Sequence, residues 1–217
     1  MKDFHGKVAL ITGASSGMGA ETARILSKGG ARVFAAQRSP SDYEDILADF
    51  GEPDAPAKVI DVITRETDRL DILVNNAGIN ITGPTETMKM DDVKRVFDTN
   101  FFSQLNLIQT VLPHMRSKKM GLIINITSIA GYLGLPFWSA YCASKASFRI
   151  IAESLNIELK KYNVNVVNIA PGDYKTEILN NRRDSDNPSS SPYFHEYEKI
   201  IKSVTNSLAG ELIVEEE

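Results

Sequence analysis

The chain has 217 residues, of which 42% are hydrophobic and 24% charged, and its formal net charge is −4. These values suit a single globular domain over residues 1–217 and exclude a strongly basic nucleic-acid-binding surface. The only cysteine, Cys142, excludes the disulfide-rich secreted class, and the first residues lack the apolar core of a signal peptide. We therefore expect a cytoplasmic protein. Polar residues interrupt the uncharged segment 121–144, which argues against a membrane span.

Strand and helix patterns alternate along the chain. Short β-branched runs predict buried strands at residues 7–12, 31–36, 71–75, 121–127 and 163–169. Helical periodicity predicts helices at 17–28, 90–118 and 139–162, the second broken near Asn100 or Pro113. The strand runs lack strict polar–apolar alternation, as expected for strands that are covered on both faces. This order predicts a three-layered, doubly wound, Rossmann-like α/β fold with a parallel sheet.

A glycine-rich segment, residues 12–19, joins the first predicted strand to the first helix. Glycine lets the backbone turn sharply and approach a phosphate closely, and the free N–H groups at a helix start bind anions. A tight strand–helix turn without a ligand is the alternative. The position at the first strand favours a dinucleotide site, with contacts from Gly13, Ser15, Ser16, Gly17, Met18 and Gly19.

The second predicted strand ends at Gln37 and Arg38 rather than at an acid. In dinucleotide-binding folds an acid at this point binds the ribose hydroxyls, whereas an arginine accommodates a 2′-phosphate. We therefore predict a preference for NADP(H) over NAD(H). The alternative is that Arg38 is simply solvated.

Three further residues predict acid–base chemistry. Tyr141 and Lys145 are four residues apart and share one face of a helix. A nearby ammonium group is expected to lower the phenol pKa below its usual value of about 10 and so favour general acid–base catalysis. Ser128 follows a predicted strand, where open α/β sheets bind ligands, and its hydroxyl can polarise a carbonyl oxygen. The scattered histidines do not have the spacing of metal ligands, so no metal site is predicted.

Six elements in order resemble the compact short-chain dehydrogenase/reductase family over about residues 6–178: segment 12–19, NNAG at 75–78, Asn100, Ser128, YCASK at 141–145 and PGDYKT at 171–176. The resemblance implies that hydride transfer interconverts a carbonyl and an alcohol, and that Tyr141 exchanges a proton with the substrate oxygen. It implies that Lys145 also holds the nicotinamide ribose, and that Asn100 supports a water leading to Lys145. The further cofactor contacts that it implies are Asn76, Ala77, Gly78, Pro171, Gly172, Tyr174 and Thr176. A non-catalytic NADP(H)-binding regulatory or interaction protein is the alternative.

The chain departs from the family after Arg38. We interpret residues 45–49 as the third strand and residues 53–67 as the next helix, which places Asp49 and Phe50 beside the adenine. Only about six residues then remain for the crossover, too few for the usual helix, so a loop is predicted there. The rival interpretation makes residues 59–62 the third strand, with Asp61 beside the adenine.

The C-terminal part departs as well. Residues 177–206 are interpreted as a mobile segment that covers the substrate, and the family's last strand is predicted to be missing, which leaves six strands. We expect a homodimer through residues 90–118 and 139–162. The stretch 134–145 is similar to hydroxysteroid and retinol dehydrogenases, and the expected pocket suits a small hydrophobic ketone, aldehyde or 3-oxoacyl group. That pocket would draw on Ile79, Asn80, Ile81, Leu133, Pro136, Phe137, Trp138, Tyr174 and the segment 177–200.

Overall fold

The structure, a computed structural model, describes residues 3–172, 182–185 and 191–209. The strands in these ranges are β1 (Val8–Thr12), β2 (Arg32–Gln37), β3 (Glu44–Leu47), β4 (Ile72–Asn75), β5 (Ile81–Thr82), β6 (Gly121–Ile126), β7 (Val164–Ile169) and β8 (Arg183–Asp184). The α-helices are α1 (Gly17–Lys28), α2 (Ala55–Glu66), α3 (Met90–Phe97), α4 (Ser103–Lys118), α5 (Ser139–Leu159) and α6 (Phe194–Ala209). A π-helical segment, Asp98–Phe102, joins α3 to α4.

Six strands form one parallel sheet in the order β3-β2-β1-β4-β6-β7. The order reverses between β1 and β4, so the predicted doubly wound α/β fold is confirmed. The predicted six-stranded sheet is also observed, with β7 at its edge within the described residues. A separate two-stranded sheet pairs β5 with β8.

Helices cover both faces of the large sheet. On one face, α2, α4 and α5 enclose the larger apolar cluster, which includes Leu10, Phe34 and Phe148. On the other face α1 covers a smaller cluster around Ala9 and Ile11. Neighbouring residues of β1 thus face opposite layers, which explains why this strand is apolar throughout. All six strands end at the same edge, where the loops that carry polar side chains meet.

The connection between β2 and β3 is a loop over residues 38–43, as predicted. Asp45 ties it down, because its Oδ1 accepts hydrogen bonds from Gln37 Nε2 at 2.8 Å and from Ser41 Oγ at 2.7 Å. Tyr43, in the same loop, packs against the apolar cluster on the α1 face. Hydrogen bonds and one aromatic side chain thus take the place of the crossover helix.

Two further expectations can be compared with the fold. The rival third strand at residues 59–62 is wrong, because these residues lie within α2. The expected break near Asn100 is observed as the π-helical segment, whereas Pro113 lies inside α4.

Candidate active site

The glycine turn after β1 is closely packed. Gly13 has a φ of +66°, a left-handed conformation that favours glycine. A Cβ atom on Gly19 would lie 2.2 Å from the Gly13 carbonyl oxygen, so only glycine fits there. Ser16, the residue before α1, makes no capping hydrogen bond with its side chain, and the first turn of α1 carries no acid. These features fit an anionic phosphate at the helix N-terminus.

The turn is held against the loop that follows β4. Thr12 Oγ1 accepts hydrogen bonds from the backbone N–H groups of Asn76 and Ala77, both at 2.9 Å. Asn76 Nδ2 donates to the carbonyl oxygens of Thr12 at 3.0 Å and of Gly13 at 2.9 Å. Asn76 therefore shapes the turn with its side chain, and Thr12 is a positioning residue that the sequence analysis did not identify.

One cavity of about 490 Å³ runs along the carboxyl edge of the sheet. It brings together most of the predicted site residues: Gly13, Ser15, Ser16, Gly17, Met18, Arg38, Asp49, Phe50, Asn76, Ala77, Gly78, Ser128, Tyr141, Lys145, Pro171 and Gly172. Gly19 and Asn100 lie behind its wall. Tyr174 and Thr176 lie outside the described residues. The cavity lining also includes Gln37, Ser39, Arg95, Thr99 and Thr127, which the sequence analysis did not single out.

The predicted catalytic side chains converge on this cavity. Ser128 follows β6 and lines the cavity with Tyr141 from α5, and its hydroxyl group acts to lower the Tyr141 pKa. The Ser128 Oγ also accepts the Ala130 N–H at 3.1 Å, which orients it. Lys145 lies one turn further along α5, is 2% exposed and donates from Nζ to the Ile126 carbonyl at 2.8 Å. The Lys145 ammonium lies 5.9 Å from the centre of the Tyr141 ring.

The expectation that Lys145 lowers the Tyr141 pKa is wrong. Burial raises the pKa of Tyr141 to about 12, and the Ser128 hydroxyl group offsets this only in part. Burial also lowers the pKa of Lys145 to about 8. Desolvation disfavours the charged form of each group, and the lysine amine binds a backbone carbonyl rather than the phenol oxygen. Tyr141 is therefore a neutral phenol at pH 7, ready to donate a proton.

Asn100, in the π-helical segment, holds the loop after β4 from behind. Its Oδ1 accepts the Ile79 N–H at 2.8 Å, and its Nδ2 donates to the Ile79 carbonyl at 3.0 Å and to Ser144 Oγ at 3.1 Å. A Cβ atom on Gly78 would lie 3.5 Å from both Asn100 Oδ1 and Lys145 Nζ. Asn100 is therefore a positioning residue in this structure, and π-helical insertions are frequent at functional sites.

The adenosine end of the cavity lies between β2 and β3. Arg38 is exposed there, and no ion pair or hydrogen bond of its side chain is found within the described ranges. Asp49 Oδ1 accepts the Gly51 N–H at 2.9 Å, so part of this carboxylate serves a local turn. Phe50 is 4% exposed and belongs to the core, with one side on the cavity. The residues present thus fit a dinucleotide, with the exposed Arg38 guanidinium group at the end of β2.

The sequence analysis did not identify several buried amide side chains that lie behind the site. Gln104 is fully buried and donates from Nε2 to the Ala77 carbonyl and, at 3.2 Å, to the Thr99 carbonyl. Asn75 Nδ2 donates to Asn125 Oδ1 at 3.0 Å, which joins the ends of β4 and β6. Polar residues at strand ends are the one sequence signal that could have identified this pair. Gln104 lies mid-helix and carries no local signal.

The described parts of the predicted covering segment, residues 182–185 and 191–206, are anchored beside the site. Thr82 Oγ1 and Tyr197 OH lie 2.9 Å apart, and both hydroxyls donate to Asp184 Oδ1. The Tyr197 ring also meets Phe137 edge to face, with the ring centres 5.3 Å apart. Phe137 has a φ of +67°, which is unusual for a residue with a side chain and marks local strain. Strand β8 and helix α6 thus form one wall of the substrate end.

Comparisons with known proteins agree with this geometry. The family model described as short chain dehydrogenase matches residues 7–187. A 3-ketodihydrosphingosine reductase of Bacteroides thetaiotaomicron is 36% identical over 184 residues, which are 83% of this chain and 68% of that protein. The structure of a 3-ketoacyl-(acyl-carrier-protein) reductase from Brucella melitensis, complexed with NADH, has a TM-score of 0.77 at 27% identity and covers 83% and 81% of the two chains. A metagenomic short-chain oxidoreductase in complex with NADP has a TM-score of 0.74 at 34% identity and covers 77% and 83%.

Proposed function

Because the chain belongs to the short-chain dehydrogenase/reductase family, and is thus an oxidoreductase acting on CH–OH groups with a nicotinamide cofactor, we propose a specific reaction for it. The enzyme interconverts a hydrophobic ketone, aldehyde or 3-oxoacyl group and its alcohol, using NADP(H), with Tyr141 as proton donor and acceptor. The observation that carries this proposal is that Ser128, Tyr141 and Lys145 line one cavity together with the glycine turn. The names of two similar proteins, each specifying a 3-keto compound, favour a 3-oxo substrate.

The protein side of the mechanism follows from the protonation states. A cofactor, when bound, supplies or accepts the hydride. In the direction of reduction, the neutral Tyr141 phenol donates its proton to the substrate oxygen, while the Ser128 hydroxyl holds that oxygen. A hydrogen bond to the Ile126 carbonyl holds the Lys145 amine in place behind the phenol. The raised Tyr141 pKa keeps the phenol protonated at pH 7, and after it has given its proton to the substrate oxygen the phenolate takes up a proton from solvent.

Replacing Tyr141 with Phe tests the catalytic assignment. The substitution removes only the hydroxyl group, so kcat should fall on the order of 10²- to 10⁴-fold while NADPH affinity is retained. Tyr132→Phe is the matched control, because Tyr132 is 60% exposed and does not line the cavity. Retention of more than a tenth of the activity by Tyr141→Phe would contradict the assignment. A wild-type protein that binds NADPH but reduces no carbonyl compound would instead support the non-catalytic alternative.

The preference for NADP(H) rests on Arg38. The guanidinium group is exposed beside the cavity and is free of acidic partners in the part of the chain that the structure describes. Bidentate arginine–phosphate contacts are strong, so Arg38→Ala should weaken NADPH binding at least about tenfold and change NADH binding little. Arg24→Ala, which breaks an exposed pair with Glu21 on α1, is the control. A wild-type enzyme with a lower KM for NADH than for NADPH would rule out this preference.

The proposed homodimer is supported by exposed apolar side chains on the two long helical regions. Phe102 is 54%, Ile150 52% and Ile157 80% exposed, and all three lie within residues 90–118 and 139–162. Light scattering should give twice the mass of 23.9 kDa, and a stable monomer or tetramer would refute the proposal. No helix among the described residues is long and apolar enough to cross a membrane. A cytoplasmic location stays a prediction from the sequence.

A further inference from the structure

Asn80 lies in the cavity wall, and the proposed mechanism gives it no role. The residue is 2% exposed, and neither Nδ2 nor Oδ1 has a hydrogen-bond partner among the residues that the structure describes. Its backbone is held in place by two neighbours. Asn100 binds both the N–H and the carbonyl of the preceding Ile79, and the Asn80 carbonyl accepts the Arg183 N–H at 3.1 Å. The position of the Asn80 amide is therefore fixed by its neighbours rather than by contacts of its own.

Local structure does not explain the choice of asparagine here. The φ of Asn80 lies outside the left-handed region, in which asparagine is enriched. A buried amide without partners destabilises a folded protein, and nearly all buried polar groups in proteins are hydrogen-bonded. A ligand that supplies the missing partners removes this penalty when it binds. The unpartnered amide of Asn80 is thus available to a molecule that binds in the cavity.

Trp138, beside the catalytic tyrosine, is a second buried residue of the cavity wall with an unpartnered polar group. It is 6% exposed, lines the same cavity, and its Nε1 donor has no partner within the described ranges. Its ring meets the Tyr141 ring edge to face, with the centres 5.8 Å apart, so the indole adjoins the reacting centre. The wall around these two residues is apolar and includes Ile81, Ala130 and Leu135. Two unpartnered polar groups in an apolar wall predict a ligand with one polar substituent near its reacting carbon.

We propose that Asn80 is a specificity-determining residue that binds a hydroxyl group on the substrate, next to the reacting carbonyl, with Trp138 Nε1 as a second donor. A hydroxyl group donates and accepts, as a carboxamide does. An ammonium group fits less well, because Trp138 only donates and Asp49, at the adenosine end, is the only acid among the described cavity residues. The inference rests on the proposed carbonyl reduction at this cavity.

The test compares decan-2-one with 1-hydroxydecan-2-one as substrates, with NADPH in excess. We expect wild-type kcat/KM to be at least about tenfold higher for the hydroxyketone, because a site built for a hydroxyl group rejects the analogue that lacks it. Asn80→Leu keeps the number and branching of the heavy atoms but removes the donor and the acceptor. It should lower this preference to below about threefold. Asn165→Leu, at an exposed position on β7, is the control and should retain the preference.

A measurement of ligand binding without turnover tests this inference separately from the proposed reaction. Trp138 is the only tryptophan of the chain, so its fluorescence reports ligand binding to the enzyme with NADP⁺ without turnover. The hydroxyketone should bind at least about tenfold more tightly than decan-2-one to the wild type, and about equally to Asn80→Leu. Preferential binding without reduction of either ketone would support the hydroxyl site and refute the proposed function.

The following outcomes overturn the inference. Reduction of both ketones without a preference, a preference that Asn80→Leu retains, or failure of both ketones to bind would each refute it. A change in NADP⁺ affinity alone would assign Asn80 to the cofactor instead. Trp138→Phe keeps an aromatic ring but removes the Nε1 donor, and it should lower the kcat/KM ratio of the two ketones as well. This second variant keeps the inference testable if Asn80→Leu does not fold.

Discussion

The buried amine of Lys145 makes the stability of this protein depend on pH in a defined direction. Burial lowers the Lys145 pKa from 10.5 to about 8. In the unfolded chain the ordinary value applies, so between pH 8 and 10.5 the unfolded chain binds more protons than the folded one. The free energy of unfolding therefore rises with pH across this window. Below pH 8 the folded protein carries a buried charge and this gain is absent.

The size of the effect follows from the same pKa values. Integrating the difference in bound protons from pH 7.5 to pH 9.5 gives a gain of about 2 kcal/mol. Two neighbours act with the opposite sign, because burial raises the pKa of the Cys142 thiol and raises the pKa of Tyr141 to about 12. Each of these groups stays protonated in the folded chain at a pH where the unfolded chain releases the proton. The contribution of Lys145 must therefore be measured as a difference between two proteins that share both neighbours.

Lys145→Met provides that difference. The free energy of unfolding of cofactor-free protein is measured by urea denaturation, followed by circular dichroism, at pH 7.5 and 9.5. The wild-type value minus the Lys145→Met value should rise by about 2 kcal/mol between these pH values. Lys161→Met, at an exposed position, should show no such change. A rise below about 0.5 kcal/mol, the usual effect of a surface substitution, would refute the claim that the buried amine loses its proton near pH 8.

Two further substitutions test the loops that frame the cofactor end. Gly19→Ala places a Cβ atom 2.2 Å from the Gly13 carbonyl oxygen, so its NADPH affinity should fall at least about tenfold in a fluorescence titration. Gly134→Ala is the control, because Gly134 has open space around it, and it should bind NADPH with normal affinity. Wild-type affinity in Gly19→Ala would contradict the steric argument. Asp45→Ala removes the hydrogen bonds that hold the β2–β3 loop and should lower the free energy of unfolding by about 1–3 kcal/mol, whereas the exposed Asp42→Ala should not. Equal stability of the two variants in urea would show that the loop does not need this carboxylate.

The sequence predicted those features that depend on local patterns. The apolar strand runs, the glycine turn over residues 12–19 and the Tyr141–Lys145 spacing all express constraints between residues close together in the chain. Chain length alone was enough to predict the loop between β2 and β3, since too few residues remained there for a helix. The parallel sheet and the cavity at its carboxyl edge then followed from the order of the elements.

Other features depend on residues that are distant in the chain. Gln104 became recognisable only when folding placed its amide against the Ala77 carbonyl, and the hydrogen bonds of Asn100 to Ile79 likewise depend on the fold. Tyr197 of α6 likewise meets Phe137, which lies sixty residues earlier in the chain, only in the folded protein. A sequence pattern cannot show which polar groups the fold will bury against a distant partner.

The direction of the Tyr141 pKa shift is the clearest contrast between what the sequence predicted and what the tertiary structure shows. The four-residue spacing correctly placed Lys145 near the phenol, and proximity alone predicts a lowered pKa. The tertiary structure excludes water from both groups and attaches the amine to the Ile126 carbonyl, so desolvation determines the shift. The sequence by itself determined which chemical groups meet at the site. Only the tertiary structure decided their charge states, because these depend on burial by residues from the whole chain.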